Sequence, residues 1–296
     1  MPSLPSPETV LITGASSGIG RATALELAGR GARLVLVARG AEALEETADQ
    51  ARAAGAAEVL VRPADVTDED AIRAAVDDAV ARFGRLDAVV HAAQVMAYGT
   101  IEEVPREVFE TVVETAVHGT AVVARVVLPL FREQGEGHLL VVNSLLGQVT
   151  TPLMGSYVAA KWGQLGLIRV LQQETRDAPG VTVSAIQPGG VDTPIYVQAA
   201  SWTGSTGRPP PPVYSPQRLG RRIVSLLDRP RRQVQAGIFN PLITAAFRLA
   251  PGLYDVLVGP LLQRLAIADD DVPPTEGNVF ASRPQGNRTE GGWRSI

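Results

Sequence analysis

The chain has 296 residues, of which 45% are apolar and 20% charged, with 29 glycines, 22 prolines and no cysteine. This composition excludes collagen-like, low-complexity and disulfide-scaffold proteins, and it removes cysteine-ligated metals and thiol catalysis. A net charge of −4 argues against nucleic acid as a partner. Because we find neither a basic leader nor an apolar run of about 18 residues, we expect no signal peptide and no spanning helix. A cytoplasmic protein without a metal ion is the resulting expectation.

Short β-branched runs alternate with helical patterns over the first two thirds of the chain. The predicted strands cover residues 9–13, 33–38, 58–61, 87–91, 138–143 and 181–186. The helical patterns between them cover residues 18–30, 41–54, 68–83, 105–132 and 155–176. Continuous apolar strands separated by helices are typical of a parallel sheet covered on both faces. We therefore predict a doubly wound α/β domain over residues 8–237, preceded by a flexible arm, residues 1–7.

The regular alternation ends after Gln187. A Pro- and Gly-rich stretch at about 190–216 predicts a loop over the substrate, and a basic helix follows at 216–232. Residues 238–267 carry two short amphipathic patterns and are predicted to form a helical extension.

Two interpretations of this extension stay open. It packs on the domain or on a second subunit, or, together with the arginines in residues 218–266, it contacts a membrane surface. The polar composition of residues 268–296 predicts a disordered tail.

The first predicted strand runs into a glycine-rich turn and then a helix. Backbone N–H groups and the helix dipole at such a turn favour a pyrophosphate. In this reading one glycine allows the tight turn, one allows close approach of phosphate, and one allows helix–strand packing, while serine hydroxyls add donors. A turn without a ligand is the alternative, but the strand–turn–helix context favours a dinucleotide site. The residues concerned are Thr13, Gly14, Ser16, Ser17, Gly18, Ile19 and Gly20.

The end of the second predicted strand bears on which dinucleotide binds. An acidic residue here would hydrogen-bond an adenosine ribose, but the sequence reads Val37-Ala38-Arg39-Gly40. A guanidinium forms charge-assisted bonds with a 2′-phosphate, which a carboxylate would repel. Arg39 therefore favours NADP(H) over NAD(H), although a solvated charge at a strand end would look the same.

Tyr157 and Lys161 are four residues apart near the start of a predicted helix, and Lys161 is the only lysine. This spacing places phenol and ammonium on one helix face. A cation about 4 Å away contributes about 4 kcal/mol at a dielectric constant near 20, enough to lower the phenol pKa from about 10 to near 7. Such a tyrosine exchanges protons at working pH. Ser144, just past the fifth strand, is placed to hold a substrate oxygen.

Taken together, these motifs resemble the short-chain dehydrogenase/reductase family over roughly residues 8–235. The resemblance implies a seven-stranded Rossmann-type sheet whose last strand is residues 233–236. It implies that Tyr157 is the general acid/base, that Lys161 lowers its pKa and binds the nicotinamide ribose, and that Ser144 orients the reacting oxygen. It also assigns Asp65 and Val66 to the adenine and the segment Pro188-Gly189-Gly190-Val191-Asp192-Thr193 to the carboxamide. The implied cofactor contacts are Ala92, Pro188, Gly189, Val191 and Thr193, beside Tyr157, Lys161 and the turn.

Two positions depart from the family pattern. His91-Ala92-Ala93-Gln94 stands where the family usually has Asn-Asn-Ala-Gly, and Ala116 stands where it often has an asparagine that anchors a water in the proton relay. The chemistry survives if His118, a backbone carbonyl or another water completes the relay. His118 on an apolar helix is more often a core residue, so we assign it no role.

These observations predict an NADP(H)-dependent oxidoreductase that interconverts a carbonyl and an alcohol, acting as a homodimer or homotetramer. Apolar and aromatic residues in the 190–216 loop suggest an apolar small-molecule substrate, although they would serve equally to pack the loop down. The alternative is a catalytically impaired protein that senses NADP(H) or recruits a partner. An epimerase or dehydratase is disfavoured because no additional acid/base pair stands out.

Overall fold

A seven-stranded parallel sheet forms the centre of the protein in a computed structural model that describes residues 8–293. The predicted arm at residues 1–7 lies outside the described residues. The strands are β1 (Thr9–Thr13), β2 (Arg33–Ala38), β3 (Glu58–Pro63), β4 (Ala88–His91), β6 (Gly137–Val142), β7 (Val181–Pro188) and β9 (Gln233–Ala236), in the order β3-β2-β1-β4-β6-β7-β9. The predicted fold class is confirmed, including the last strand.

The β-branched and leucine-rich strands are buried on both faces, which explains why they lack a polar alternation. Val10 and Ile12 of β1 point to one face and Leu11 to the other, as the two-residue period requires. Parallel pairing brings Thr13 of β1 level with Val37 of β2 and His91 of β4. The carboxyl ends of these strands therefore meet at one edge of the sheet.

Helices cover both faces. The helices are α1 (Gly18–Ala28), α2 (Ala41–Ala53), α3 (Glu69–Phe83), α4 (Arg106–Val113), α5 (Gly119–Gln134), α6 (Gly155–Glu174) and α7 (Pro216–Asp228). Leu27 of α1, Leu44 of α2 and Ile223 of α7 pack on one face. Ile72 of α3, Phe131 of α5 and Ile168 of α6 pack on the other.

The single long helix predicted at residues 105–132 is interrupted. A π-helical segment, Glu114–His118, joins α4 to α5, and Ala116 within it is fully buried. By length and composition alone the stretch Arg106–Gln134 could cross a membrane, but 56% of its most apolar window is buried inside the domain. It is therefore a core helix here, and the π segment inside it is of a kind that often occurs at functional sites.

Further elements, most of them from the C-terminal third, lie at the carboxyl edge of the sheet. Two short strands, β5 (Ala97–Tyr98) and β8 (Ala200–Ser201), pair with each other, and the extension forms α8 (Asn240–Leu249) and α9 (Pro251–Ala266). Residues 268–293, for which composition predicted disorder, follow a defined path with hydrogen bonds to the domain. Apart from one short 3₁₀ turn, Pro284–Gly286, this segment is irregular, and part of its polar backbone bonds to loops of the domain.

Candidate active site

The end of β1 is fixed to the end of β4 by one side chain. Thr13 Oγ1 lies 2.9 Å from His91 Nδ1 and accepts from the backbone N–H groups of Ala92 and Ala93 at 3.2 and 3.3 Å. His91 is buried, and burial together with the charge of Lys161 lowers its pKa to about 3. A neutral His91 therefore takes the position where the family pattern has asparagine, and it serves to hold the glycine turn.

The glycine turn leaves no room for side chains, as a phosphate cradle requires. A Cβ on Gly14, whose φ is +67°, would lie 2.8 Å from Ala93 N, and one on Gly20 would lie 2.2 Å from Gly14 O. A Cβ on Gly18 would meet Thr193 at 3.1 Å. The turn is thus built for close backbone approach and opens α1 toward a cavity, so these residues fit the pyrophosphate of a dinucleotide.

Arg39 lies at the end of β2 beside the same cavity. Its Nη1 donates to Val279 O at 2.8 Å and its Nη2 to Asn278 O at 2.5 Å. Burial lowers its pKa below the usual value, and Asp65 partly offsets this. Asp65 Oδ1 accepts from Thr67 N and Oγ1, at 3.0 and 2.8 Å, which fixes the carboxylate beside Val66. Arg39 therefore lines the cavity with its guanidinium bound to backbone carbonyls of the C-terminal segment.

Ser144, Tyr157 and Lys161 meet at the carboxyl end of β6. Ser144 caps the short 3₁₀ turn Leu145–Gly147, with Leu146 N donating to its Oγ at 3.1 Å. Lys161 is 2% exposed, and its Nζ lies 5.7 Å from the centre of the Tyr157 ring. The same Nζ donates to Val142 O at 3.1 Å and to Gln164 Oε1 at 3.0 Å.

The predicted acidity of Tyr157 is wrong for the protein without ligands. Burial raises the pKa of Tyr157 to about 12, although a hydrogen bond with Ser144 acts in the opposite direction. Burial lowers the pKa of Lys161 to about 7. A pKa near 7 for the phenol would need a fully charged lysine beside it in a partly solvated site. In the fold both groups are desolvated, so the neutral phenol is the stable form near pH 7.

The segment after β7 closes the other side of the cavity. Pro188 ends the strand, Gly189 N donates to Ala236 O of β9 at 3.4 Å, and Thr193 is buried against the glycine turn. Asp192, in the same segment, accepts from the backbone N–H groups of Gly291 and Trp293 at 2.8 and 3.0 Å. The C-terminal residues thus hold this segment in place.

The structure brings the predicted residues together. Every residue predicted to be catalytic or to bind the cofactor, apart from Thr13, lines one cavity of about 610 Å³. Its far end is walled by apolar side chains of α8 and α9, among them Leu242, Leu257 and Leu261. Within residues 8–293, no group of three His, Asp or Glu side chains is arranged to hold a metal ion.

The sequence reasoning missed some residues of this site. Gln164 and Asn143 contact each other and Lys161 in the buried interior. From the C-terminus, Asn278 lines the cavity and the carbonyl of Arg288 accepts from Gly18 N. The only sequence signal for Gln164 is a polar residue on the buried face of α6, three positions after Lys161. The C-terminal contacts gave no signal, because they are made largely by backbone atoms.

A doubly wound sheet with a glycine turn and a tyrosine–lysine pair at one edge defines a nucleotide-dependent oxidoreductase. A family profile described as short chain dehydrogenase matches residues 8–204, and the chain belongs to this short-chain dehydrogenase/reductase family. Members of the family bind NAD(P) and small-molecule substrates, and the chain is an enzyme of this class.

The chain is similar to proteins from distant organisms. It is 29% identical over 292 residues to an uncharacterized oxidoreductase, YxnA, of Bacillus subtilis, covering 97% of this chain and 82% of that one. It is 30% identical over 261 residues to dehydrogenase/reductase SDR family member 7B of Bos taurus, covering 83% and 78%. Among solved structures, an alcohol dehydrogenase of the archaeon Thermococcus sibiricus, complexed with 5-hydroxy-NADP, has a TM-score of 0.67 at 29% identity, covering 78% and 95%.

Proposed function

We propose that the protein interconverts a carbonyl and an alcohol on an apolar small molecule, using NADP(H). The observation that carries this proposal is the convergence of Ser144, Tyr157 and Lys161 on a cavity that also contains the glycine turn. The oxidoreductase class follows from the family, whereas the reaction and the cofactor preference are our inference. In support of NADP(H), Arg39 lines this cavity, and a similar alcohol dehydrogenase was solved with an NADP analogue.

Each residue of the proposed mechanism acts at a stated atom. A bound NADP(H) supplies or accepts the hydride. Tyr157 Oη donates a proton to the carbonyl oxygen during reduction and accepts it during alcohol oxidation. Ser144 Oγ orients that oxygen, and the Lys161 ammonium stabilises negative charge as it develops on the phenol. Burial keeps the phenol protonated near neutral pH, and the protonated form is the one that carbonyl reduction requires.

The apolar end of the cavity supports an apolar substrate. Leu253, Leu257 and Leu261 of α9 line it, and these side chains are also 62%, 48% and 50% exposed. The same helices therefore connect the cavity with the outer surface of the protein. We propose that this outer face lies on a lipid surface from which an apolar substrate enters, in a protein that is otherwise cytoplasmic. Assembly as a homodimer or homotetramer stays a prediction.

The test is a panel of apolar ketones, aldehydes and alcohols, followed by the absorbance of the reduced nicotinamide, with the Tyr157→Phe variant beside the wild type. We expect turnover of at least one substrate and a loss of roughly 10²- to 10⁴-fold in the variant, because only the transferable proton is removed. NADPH binding, measured by fluorescence, is the control and should change little.

The same panel tests the alternative function. A protein that binds NADPH tightly but turns over no carbonyl or alcohol would be a cofactor sensor, not an enzyme of this reaction. Equal turnover by wild type and Tyr157→Phe would remove the proposed role of the phenol.

A further inference from the structure

A side-chain amide connects the candidate catalytic lysine to the π-helical segment. Gln164, one turn after Lys161 on α6, accepts from Lys161 Nζ at 3.0 Å through its Oε1. Its Nε2 donates to Ala116 O at 3.3 Å and to Thr120 Oγ1 at 3.0 Å. Gln164 is fully buried, so no water competes for these contacts.

The partners fix which way this amide points. Gln164 Oε1 also accepts from Asn143 Nδ2 at 3.0 Å, while Asn143 Nδ2 donates to Lys161 O at 2.9 Å. Thr120 Oγ1 donates to Ala116 O at 2.6 Å and so has a lone pair left for Gln164 Nε2. Exchanging the amide oxygen and nitrogen would bring donors against donors at Lys161 and Asn143. The oxygen therefore faces the ammonium.

This network occupies the position at which the family pattern is broken. Ala116 has no side-chain amide, but its carbonyl lies in the π segment and accepts from Gln164. Resting on the function proposed above, we propose that Gln164 is a positioning residue. It holds the Lys161 ammonium beside Tyr157 and stabilises its charge, so that the network does not need an asparagine at position 116.

Few titratable groups act on Lys161. His91 faces it from β4, and Tyr157 lies on α6 itself, while Tyr98 and Tyr196 face the phenol from the other side. Gln164 and Asn143 carry no charge. Replacing Gln164 therefore changes the dipole at the ammonium without adding or removing another titrating group, unless the new residue is itself acidic.

The single lysine makes a direct measurement possible. Protein labelled with carbon-13 at lysine Cε gives one lysine resonance, and its pH titration reports the pKa of Lys161 without substrate or cofactor. We expect a pKa of about 7 for Lys161 in the wild type. In Gln164→Met, which keeps the volume but loses the acceptor, the pKa should be roughly one unit lower, and in Gln164→Glu it should be higher. The rate of carbonyl reduction should fall with rising pH, and the midpoint of this fall should shift in the same direction as the pKa of Lys161.

Gln172→Met is the matched control, because Gln172 is a buried glutamine on the same helix that bonds Val183 O and Arg232 O instead. It should lower stability but leave the lysine resonance and the midpoint of the pH dependence unchanged. Unaltered titration of Lys161 in both Gln164 variants would overturn the proposal. Because the resonance needs no reaction, this result is independent of whether the protein reduces carbonyls.

An independent observation concerns residues 275–293, which we call the C-terminal strap. The strap starts beside β8, where Thr275 and Ser201 exchange backbone hydrogen bonds at 2.8 and 3.0 Å. Val279 is fully buried in the cluster around Tyr98 and Tyr157, which anchors the strap. The strap then crosses the end of β2 and the start of α1, and it ends on Asp192.

Backbone carbonyls of the strap use the donors that a phosphorylated dinucleotide needs. Both terminal nitrogens of Arg39 donate to the carbonyls of Asn278 and Val279. Gly18 N, at the start of α1, donates to Arg288 O at 3.0 Å. The Arg39 guanidinium is the group expected to bind a 2′-phosphate. The Gly18 N–H belongs to the glycine turn expected to bind the pyrophosphate. We infer that the strap competes with the cofactor, so that NADP(H) binds only after the strap leaves these donors.

A reversible cross-link tests this inference. A Cβ on Gly40 would lie 3.2 Å from Ser282 Cβ, close to disulfide geometry after a shift of a few tenths of an ångström, and the chain has no other cysteine. In Gly40→Cys/Ser282→Cys we expect oxidation to weaken NADPH binding at least about tenfold, with recovery on reduction, because two charge-assisted bonds of Arg39 stay engaged. The two single variants are the controls and should not respond to reductant.

A second variant, with residues 284–296 deleted, keeps the Val279 anchor but frees Gly18 N, and it should bind NADPH more tightly than the wild type. Equal or tighter binding in the oxidised cross-linked protein would overturn the competition and make the strap a cover over bound cofactor. Failure of every form to bind NADPH would overturn both this inference and the cofactor proposed above.

Discussion

Burial acts in opposite directions on the two ionisable groups that face each other on α6. It raises the pKa of the Tyr157 phenol to about 12 and lowers that of the Lys161 ammonium to about 7. Both shifts favour the neutral form, so the charge on Lys161 depends on the few acceptors within its reach. At the scale of single residues, we therefore expect Lys161 to set the pH dependence of the site, while Tyr157 carries the proton that is transferred.

This arrangement predicts the pH dependence of the reaction. A lowered lysine pKa means that the charged form is present below about pH 7 and is lost above it. We therefore expect kcat/KM for NADPH in carbonyl reduction to fall above about pH 7, approaching tenfold per pH unit, while ionisation of Tyr157 near pH 12 has no effect. Steady-state rates between pH 5.5 and pH 9.5 measure this, and a flat profile would contradict it.

Arg39 carries the prediction of cofactor preference. Replacing it with aspartate removes the bidentate donor and adds a charge that repels a 2′-phosphate. In Arg39→Asp we expect NADPH affinity to fall at least about tenfold relative to NADH, which corresponds to about 1.4 kcal/mol. Titration of both cofactors into wild type and variant gives the ratio, and comparing the ratio cancels the loss of contacts to the strap. An unchanged ratio would refute the preference.

The site residues that could be predicted from the sequence are those that belong to local motifs. The glycine turn, Arg39 and the tyrosine–lysine pair each lie at a strand end or in the first turns of a helix, so their spacing places them at one sheet edge. The role of Gln164 could not be predicted, because its partners on the π segment and after β6 are distant in sequence. The high pKa of Tyr157 could not be predicted, because an i, i+4 spacing does not show how deeply the two side chains are buried.

Helices α8 and α9 each have one face toward the cavity and one face toward the outside of the protein. Their inner side chains wall the cavity, while Leu249 and Val256 on the outside are 85% and 70% exposed. A face of this kind is unusual in a protein that stays monomeric in water. The sequence leaves both packing and membrane contact open for this extension, and within residues 8–293 these outer side chains are exposed.

We predict that this face binds lipid. Wild-type protein should float with vesicles that contain anionic lipid, and Leu249→Ser/Val256→Ser should float several-fold less, because each buried aliphatic side chain contributes about 1.5–3 kcal/mol. A matched control, Ala54→Ser/Ala81→Ser, changes exposed positions on α3 and after α2. Absence of flotation together with a smaller particle for the Leu249 variant in solution would point to a subunit interface instead.

At the scale of the whole molecule, two buried histidines make stability sensitive to acid. Burial lowers the pKa of His138 to about 4 and that of His91 to about 3, so between these values and about 6.5 the unfolded chain binds protons that the folded chain does not. Stability therefore falls as the pH falls. Glu8 acts in the opposite sense, because burial raises its pKa to about 7 and its proton is bound in the folded state.

The prediction concerns His138, whose Nε2 lies 2.8 Å from Ser184 Oγ on the neighbouring strand β7. His138→Gln removes one of these titrating groups. Between pH 6.5 and pH 5 we expect the variant to lose about 2 kcal/mol less unfolding free energy than the wild type. Denaturant unfolding of both proteins at the two pH values measures this change in unfolding free energy. A pH-independent loss of stability caused by the substitution cancels, because each protein is compared with itself. Identical losses in both proteins would show that His138 takes up its proton in the folded state.

The architecture as a whole could be predicted because each strand is a short apolar run and each connection a helix. Right-handed crossovers then leave few topologies for a parallel sheet. The last part of the chain could not be predicted. Its polar composition has no period, and its order comes from contacts with Arg39, Gly18 and Asp192, which are far away in the sequence.

The position of Trp293 on Asp192 has a practical consequence for handling the protein. A carboxyl-terminal affinity tag is attached close in sequence to Trp293, whose backbone N–H bond to Asp192 holds the strap on the segment after β7. The amino end of β1, where Glu8 precedes Thr9, is at the opposite rim of the sheet. We therefore expect an amino-terminal tag to affect ligand titrations less than a carboxyl-terminal tag does.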